Sequence, residues 1–403
     1  MKRFLSARAG GISPSPTLAI DAVAKELKAR GENVIGFGAG EPDFDTPAAI
    51  KEMAIQALRE GRTKYTPASG IRQLKEAVCH KYREQGLEYQ PEEVIICCGA
   101  KHALYNVFQV ICGPGDEVLL PSPYWVSYYE QIRLAGAEPV LLTTGWDEGF
   151  KISPELLAKS ITPRTKALVL NSPNNPTGAV YSREEVAALA DVILNHDMLV
   201  ISDEIYEEIN YTGLPNTSIA ALGPEIKDRT VIINGLSKTF AMTGWRIGYA
   251  LGDREIIKAM SALQSHSTSN PTTFCQVAAA TALLDPPREA VQMMVAEFKK
   301  RRDYMVQRVK AIPGLDCLNP EGAFYVFVNM TALAGRQIAG RTIQNGDDLA
   351  QLFLEKIRVA VVPGSGFGAP SYFRLSYALG FEQIREGLDR IEELLTTAVS
   401  PAF

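Results

Sequence analysis

The stretch from Lys166 to Asp203 reads KALVLNSPNNPTGAVYSREEVAALADVILNHDMLVISD. Two short apolar runs, Lys166–Leu170 and Leu199–Asp203, enclose a polar loop and an amphipathic segment, Ser182–Asn195. The runs are rich in Val, Ile and Leu on both faces, as strands covered on both sides should be. Strand, helix and strand in this order argue for an α/β domain with a mostly parallel sheet.

The pattern extends in both directions. Further strands are expected at Val34–Phe37, Glu93–Cys97, Glu117–Leu120, Val231–Asn234 and Ile247–Leu251. Helical patterns occupy Ala48–Glu60, Ile71–Gln85, Lys101–Ile111 and Arg254–Leu263. After about Asn270 the texture changes. A long helix is expected from about Pro287 to Ala311, then a strand at Phe324–Val328 and a helix at Asp347–Glu355. Strands around Val359–Val362 and Tyr372–Leu375 and a closing helix, Phe381–Leu395, complete a smaller α+β domain. The expected division is 1–40, a lid and part of the small domain; 41–289, the large domain; and 290–403, the rest of the small domain. The boundary falls in the long helix, so the two domains should be hinged.

Composition narrows the function classes. The 403 residues are 46% hydrophobic and 22% charged, which excludes intrinsic disorder and small disulfide scaffolds. The net charge of -5 shows no basic excess, so no nucleic-acid partner is expected. The six cysteines form no C-x-x-C pair, the four histidines are scattered, and no metal site is expected. No apolar run approaches the roughly 18 residues of a membrane span. The N-terminus lacks the apolar segment of a secretory signal, so a cytoplasmic, membrane-free protein is expected.

Four segments are too polar or too unusual for structure alone. Asn171–Gly178 (NSPNNPTG) follows a strand at the end where open α/β sheets bind ligands. It also reads as a tight turn. Asp203 ends a strongly apolar strand, where an acid is paired, functional or a helix cap. In Asn234–Tyr249 (NGLSKTFAMTGWRIGY) one Lys and one Arg sit without accompanying acids. A buried lysine there is a candidate imine-forming amine; the alternative is a surface loop with two solvated cations. Cys98–Ala103 (CGAKHA) lies at a strand-to-helix junction whose N–H groups suit a phosphate. Neither a G-x-x-x-x-G-K-[ST] nor a G-x-G-x-x-G pattern supports ATP or NAD.

With these segments the chain resembles the class I and II aminotransferases, pyridoxal-phosphate (PLP) enzymes of fold type I, and among them the bacterial aspartate aminotransferase subgroup Ib. The resemblance runs from about Ser13 to Leu395. It rests on AGEPDFDTP (39–47), TKYTPASG (63–70), SPYW (122–125), NNPTG (174–178), SDEIYE (202–207), SKTFAMTGWRIGY (237–249) and FRLSYA (373–378). It implies a large domain with a mostly parallel seven-stranded sheet plus a smaller α+β domain.

The resemblance also implies roles. Lys238 would hold the cofactor covalently and shuttle a proton. Asp203 would pair with the pyridine nitrogen, keeping it protonated so that the ring accepts electrons. Tyr206 and Asn175 would bond the ring's phenolic oxygen, and Trp125 would stack on the ring. Ser237, Arg246 and the backbone of Gly99, Ala100 and Lys101 would hold the phosphate. Tyr65 would reach the phosphate of a neighbouring subunit, which implies a homodimer with sites at the interface. Arg374 would clamp the substrate α-carboxylate beside the backbone of Gly40. Lys101, with Ser15 and Thr17 of an N-terminal lid, would meet the distal carboxylate.

The leading expectation is transfer of the amino group between L-aspartate and 2-oxoglutarate by a ping-pong route. Aromatic-amino-acid or prephenate aminotransferase is the alternative on the same scaffold. A cysteine-S-conjugate β-lyase and a PLP-binding regulator are further readings. Relatives that use prephenate tend to carry lysine where this chain has Ser13, which speaks against prephenate. His266 and Asn270 stand where Gln and Ser were expected in the stretch a partner subunit lends to the site.

Overall fold

The computed structural model describes residues 4, 6–14 and 16–397. Its strands are, in chain order, Ile35–Gly36 (β1), Val94–Cys97 (β2), Glu117–Ser122 (β3), Glu138–Thr143 (β4), Thr165–Asn171 (β5), Leu199–Asp203 (β6), Thr230–Gly235 (β7) and Gly248–Leu251 (β8). Then follow Asp316–Cys317 (β9), Tyr325–Asn329 (β10), Gln337–Ile338 (β11), Arg341–Thr342 (β12), Val359–Ala360 (β13), Val362–Pro363 (β14) and Tyr372–Ser376 (β15).

Seven strands form one sheet in the order β2-β8-β7-β6-β5-β3-β4. All neighbours are parallel except those of β8, which runs antiparallel to both β2 and β7. Strands covered by helices on both faces are apolar on both: Val94–Cys97, at the edge beside β8, and Thr230–Gly235, in the interior, are buried throughout. The helix after β5, Arg183–Leu194, starts at a reciprocal cap in which Ser182 Oγ accepts from Glu185 N and Glu185 Oε2 accepts from Ser182 N.

Two strand expectations need correction. β4 was not anticipated: Glu138-Pro139 opens it and its exposure is irregular, because it is an edge strand that pairs with β3 alone. Val34–Phe37 shrinks to β1, which pairs in parallel with β13. Helices at Pro16–Ala29, Val126–Leu134 and Thr273–Leu284 also went unanticipated.

β7 and β8 are the stems of an antiparallel pair, with Ile232 opposite Leu251 and Gly235 opposite Gly248. The chain between them, residues 236–247, stays at the carboxyl end of β7. Gly248 packs against the backbone of Gly99 and Ala100 so closely that a Cβ would collide with it.

The C-terminal part has an antiparallel sheet, β14-β15-β10-β9, in which β15 is an inner strand. Its core includes Phe324, Val326, Phe353, Phe373 and Ile384, with Ile35 and Phe37 from the N-terminal segment. One unbroken helix, Arg288–Ala311, runs past both sheets. Arg301 on it is buried and donates from Nη1 to both carboxylate oxygens of Asp43 at 2.8 and 2.9 Å. It thereby ties the segment that enters the large sheet to the helix. Among the described residues no helix is long and apolar enough to cross a membrane, and no group of three or more His, Cys, Asp and Glu could hold a metal ion.

Candidate functional site

β2, β5, β6 and β7 all end on one side of the sheet, as parallel strands must, and their following loops meet there with the N-terminal segment and β15. They enclose a cavity of about 450 Å³. Of the residues singled out in the sequence, Thr17, Gly40, Ala100, Lys101, Trp125, Asn175, Asp203, Tyr206, Ser237, Lys238, Arg246 and Arg374 line it.

Lys238 projects from the loop after β7, and its Nζ donates to the carbonyl of Gly40 at 2.5 Å. Burial, with Arg246 and Arg374 adding to it and Glu41 and Asp203 opposing, pulls its pKa down to about 8. With that pKa about a tenth of the amine is unprotonated at pH 7, far more than for an ordinary lysine, which favours a nucleophile and proton carrier.

Asp203 ends β6 and is buried. Burial pushes its pKa up to about 6, against hydrogen bonds from Tyr128 and the N–H of Ile205 and the charge of Lys238. Its Oδ2 accepts from Tyr128 Oη at 2.6 Å, and its Oδ1 accepts from Ile205 N at 3.2 Å. Such a carboxylate is best served by a cationic partner in the cavity.

Arg374 is fully enclosed in β15, at 1% exposure. Its Nη1 donates to Asn175 Oδ1 at 2.8 Å and its Nη2 to the carbonyl of Gly38 at 3.1 Å. The guanidinium lies 4.2 Å from the centre of the Tyr325 ring, and Nε has no protein partner. Among the described residues no carboxylate is paired with it, so a buried cation with an unused donor lines the cavity.

The phosphate-binding expectation finds a shaped cradle. Gly99, with φ of 85°, precedes the helix Ala100–Ile111, and a Cβ on it would run into the Arg246 guanidinium. Gly99 itself is just behind the lining. The carbonyl of Gly99 accepts from the N–H groups of His102 and Ala103. Those of Ala100 and Lys101 remain at the open helix end, beside Ser237 and Arg246. Arg246 is aimed by its left-handed backbone, φ 57°, and by bonds to the carbonyls of Thr243 and Cys98. Lys101 stands at the rim with its ammonium 4.9 Å from the Trp125 ring centre, its pKa lowered by burial and by Arg246.

Three of the residues named in the sequence lie away from this chain's cavity and one is not described. Tyr65 is 91% exposed and does not face this chain's cavity. Ser15 lies outside the described residues. His266 caps the end of the helix Arg254–Ser265, and Asn270 bonds the carbonyl of Pro271; neither lines the cavity.

The sequence reading missed other contributors. Tyr128 was passed over although it lies three residues beyond Trp125, and its ring meets that indole edge-on at 5.2 Å. Tyr325 bonds Tyr206, hydroxyl to hydroxyl, at 2.9 Å. Glu41 sits inside the quoted AGEPDFDTP motif and accepts from Thr243 Oγ1 at 2.7 Å. Asn171 donates to the carbonyl of Asp203 at 3.0 Å and accepts from the N–H of Asn175 at 3.0 Å. Only Glu41 and Asn171 carried a sequence signal, as polar residues within motifs.

With this geometry in place, likeness to known proteins becomes informative. Residues 32–391 match the family described as aminotransferase class I and II. The chain is 52% identical over 393 residues to an aspartate aminotransferase of Geobacillus stearothermophilus, covering 97% of this chain and 98% of that one. The crystal structure of the aspartate aminotransferase from Rhizobium meliloti superposes with a TM-score of 0.94 at 42% identity, covering 98% of this chain and 99% of that one. The Thermus thermophilus aspartate aminotransferase with maleate gives 0.91 at 45% identity, covering 97% and 99%.

Proposed function

This chain belongs to the class I and II aminotransferase family, and from that premise we propose that it moves the amino group of L-aspartate to 2-oxoglutarate, with pyridoxal phosphate as cofactor. The observation that carries the reading is the buried amine of Lys238 sharing one cavity with Asp203 and the carboxylate-free Arg374. Lys101 at the rim supplies a further cation for a second carboxylate. A dicarboxylate fits that pair, and maleate, itself a dicarboxylate, accompanies the Thermus relative.

The residues fit the cofactor. The Gly99 cradle, the open helix end, Ser237 and Arg246 would hold its phosphate. Asp203 would keep a proton on the ring nitrogen, Tyr206 and Asn175 would bond the phenolic oxygen, and Trp125 would cover one face. When bound, pyridoxal phosphate supplies an electrophilic carbon and a ring that accepts the electron pair released as the Cα–H bond breaks.

Each residue then has a task. Arg374 holds the α-carboxylate in its planar fork beside Gly40, and Lys101, with Thr17, holds the distal carboxylate. Lys238 Nζ would take the proton from Cα and hand it to the cofactor's carbon at the other end of the C–N linkage. Arg374 stands on the C-terminal sheet and Lys238 on the large one, so residues 1–40 and 290–403 would close over 41–289 and exclude water. The outward Tyr65 fits a homodimer in which it reaches the partner's phosphate.

One half-reaction tests the proposal. L-aspartate alone should bleach the bound-cofactor absorbance, and 2-oxoglutarate should restore it. An unchanged band with aspartate, but bleaching with phenylalanine or tyrosine, would overturn the dicarboxylate assignment. Pyruvate released from a cysteine conjugate without an acceptor would indicate a lyase.

A further inference from the structure

Tyr128 lies on the helix Val126–Leu134 and is 2% exposed. Among the described residues its hydroxyl donates to Asp203 Oδ2 at 2.6 Å. That length lies within the range of a charge-assisted bond from a hydroxyl to a carboxylate. Its ring meets Trp125 edge-on at 5.2 Å, and the face of Trp125 carries Lys101. A single side chain therefore touches the acid at the floor of the cavity and the indole at its wall.

We propose that Tyr128 is a positioning residue for the reaction: its hydroxyl fixes the Asp203 carboxylate in its ionised form and orientation, and its ring seats Trp125. This rests on the reading of Asp203 as the partner of the cofactor's ring nitrogen. The groups facing Asp203 are few. They are Tyr128 from its helix, the N–H of Ile205 and the phenol of Tyr206 from the loop after β6, and Lys238 from the loop after β7. Burial already favours the neutral acid, so the Tyr128 donor is one of three influences that keep it ionised. Without that donor the proton moves toward Asp203 and away from the ring nitrogen. The positive charge on the ring is then lost. That charge holds down the basicity of the nitrogen by which Lys238 is joined to the cofactor, because like charges disfavour each other.

The test is Tyr128→Phe, which keeps the ring and removes the donor. Absorbance of the holoenzyme is followed against pH with no substrate present. The midpoint of the absorbance change should rise by several tenths of a unit to about one unit, a part of the roughly one to two units that a hydrogen bond to a charged group is worth, since the lost bond acts on the titrating nitrogen through Asp203 and the ring. Turnover with aspartate should fall about tenfold with KM nearly unchanged, since the lost stabilisation concerns the reacting state. Tyr128→His, which keeps a donor, should return the midpoint toward the parent value. A Phe variant that loses the cofactor while the His variant retains it would also support the proposal. A midpoint equal to the parent's in Tyr128→Phe would overturn it, whatever happens to turnover, because the removed donor would then have no hold on the charge of Asp203. The titration uses no amino acid, so it stands apart from the substrate assignment. If the parent titrates normally but no amino acid bleaches it, the functional reading fails and the role of Tyr128 does not.

Discussion

Arg374 Nη1 donates to Asn175 Oδ1 over 2.8 Å, so a guanidinium on the C-terminal sheet is held by the loop that follows β5 of the large sheet. The arginine is thus aimed before substrate arrives. Asn175→Ala should leave Arg374 buried with a second unpartnered nitrogen. A hydrogen bond to a charged group contributes about 1.5–3 kcal/mol, which corresponds to roughly 10- to 100-fold in kcat/KM for every amino acid tried. Steady-state kinetics with aspartate, glutamate and phenylalanine check it. A loss confined to one substrate would contradict it.

Lys101 should discriminate by side chain where Arg374 does not. Lys101→Ala removes the rim cation and its contact with Trp125. We expect kcat/KM for aspartate to fall by about 10- to 100-fold, with phenylalanine changed less than about threefold, since only the former presents a second carboxylate. The ratio of the two specificity constants is the measurement. A parallel fall in both would place Lys101 with the cofactor rather than the substrate.

Lys238→Ala should abolish proton transfer, with a fall of at least about 10²- to 10⁴-fold in turnover, the usual weight of a positioned acid–base group. The parent chain offers a second readout. With the cofactor removed, capture of added pyridoxal phosphate needs the neutral amine, whose pKa is drawn down to about 8. The capture rate should therefore rise with pH and level off above about that value. A rate that still climbs steeply well above it would mean an amine of ordinary basicity.

Glu204 predicts a pH dependence of stability. It is buried beside Asp203, and its Oε1 accepts from Ser202 at 2.8 Å and Ser218 at 2.6 Å. Burial first, and then Glu207, raises its pKa from 4.5 to about 7. Between those values the folded chain binds more protons than the unfolded one. The contribution is therefore full below about pH 4.5 and is lost as pH rises through about 7. Glu204→Gln should flatten that part of the curve and gain up to about 3 kcal/mol on its alkaline side. Denaturant melts across the window check it. An unchanged slope would refute the inference.

The parts of the fold that could be read in advance are those where composition and position agree. Fully covered strands such as Val94–Cys97 and well-bounded helices such as Arg183–Leu194 declare themselves through apolar runs and caps. β4 did not, because an edge strand tolerates Glu138, Pro139 and an exposed Leu141. The helix Thr273–Leu284 is apolar nearly all round, so it shows no helical stripe. At the site, Lys238 and Asp203 were legible because a charge in or at the end of an apolar stretch is conspicuous, and Arg374 only through the family resemblance of its motif. Tyr128 and Tyr325 were not: a tyrosine among core aromatics gives no sign of where its hydroxyl ends. Their partners come from chain segments distant in sequence, and only folding brings them together.

The β7–β8 pair has a consequence for how this chain can vary. Residues 236–247, closed at both ends by paired strands, carry Ser237, Lys238 and Arg246 on one short span. At its foot Gly248 abuts Gly99 and Ala100 with no room to shift. Adding or deleting a single residue there would displace hydroxyl, amine and guanidinium at once. The span behaves as an indivisible cassette: substitutions can be tried in it one by one, but its length is inherited whole.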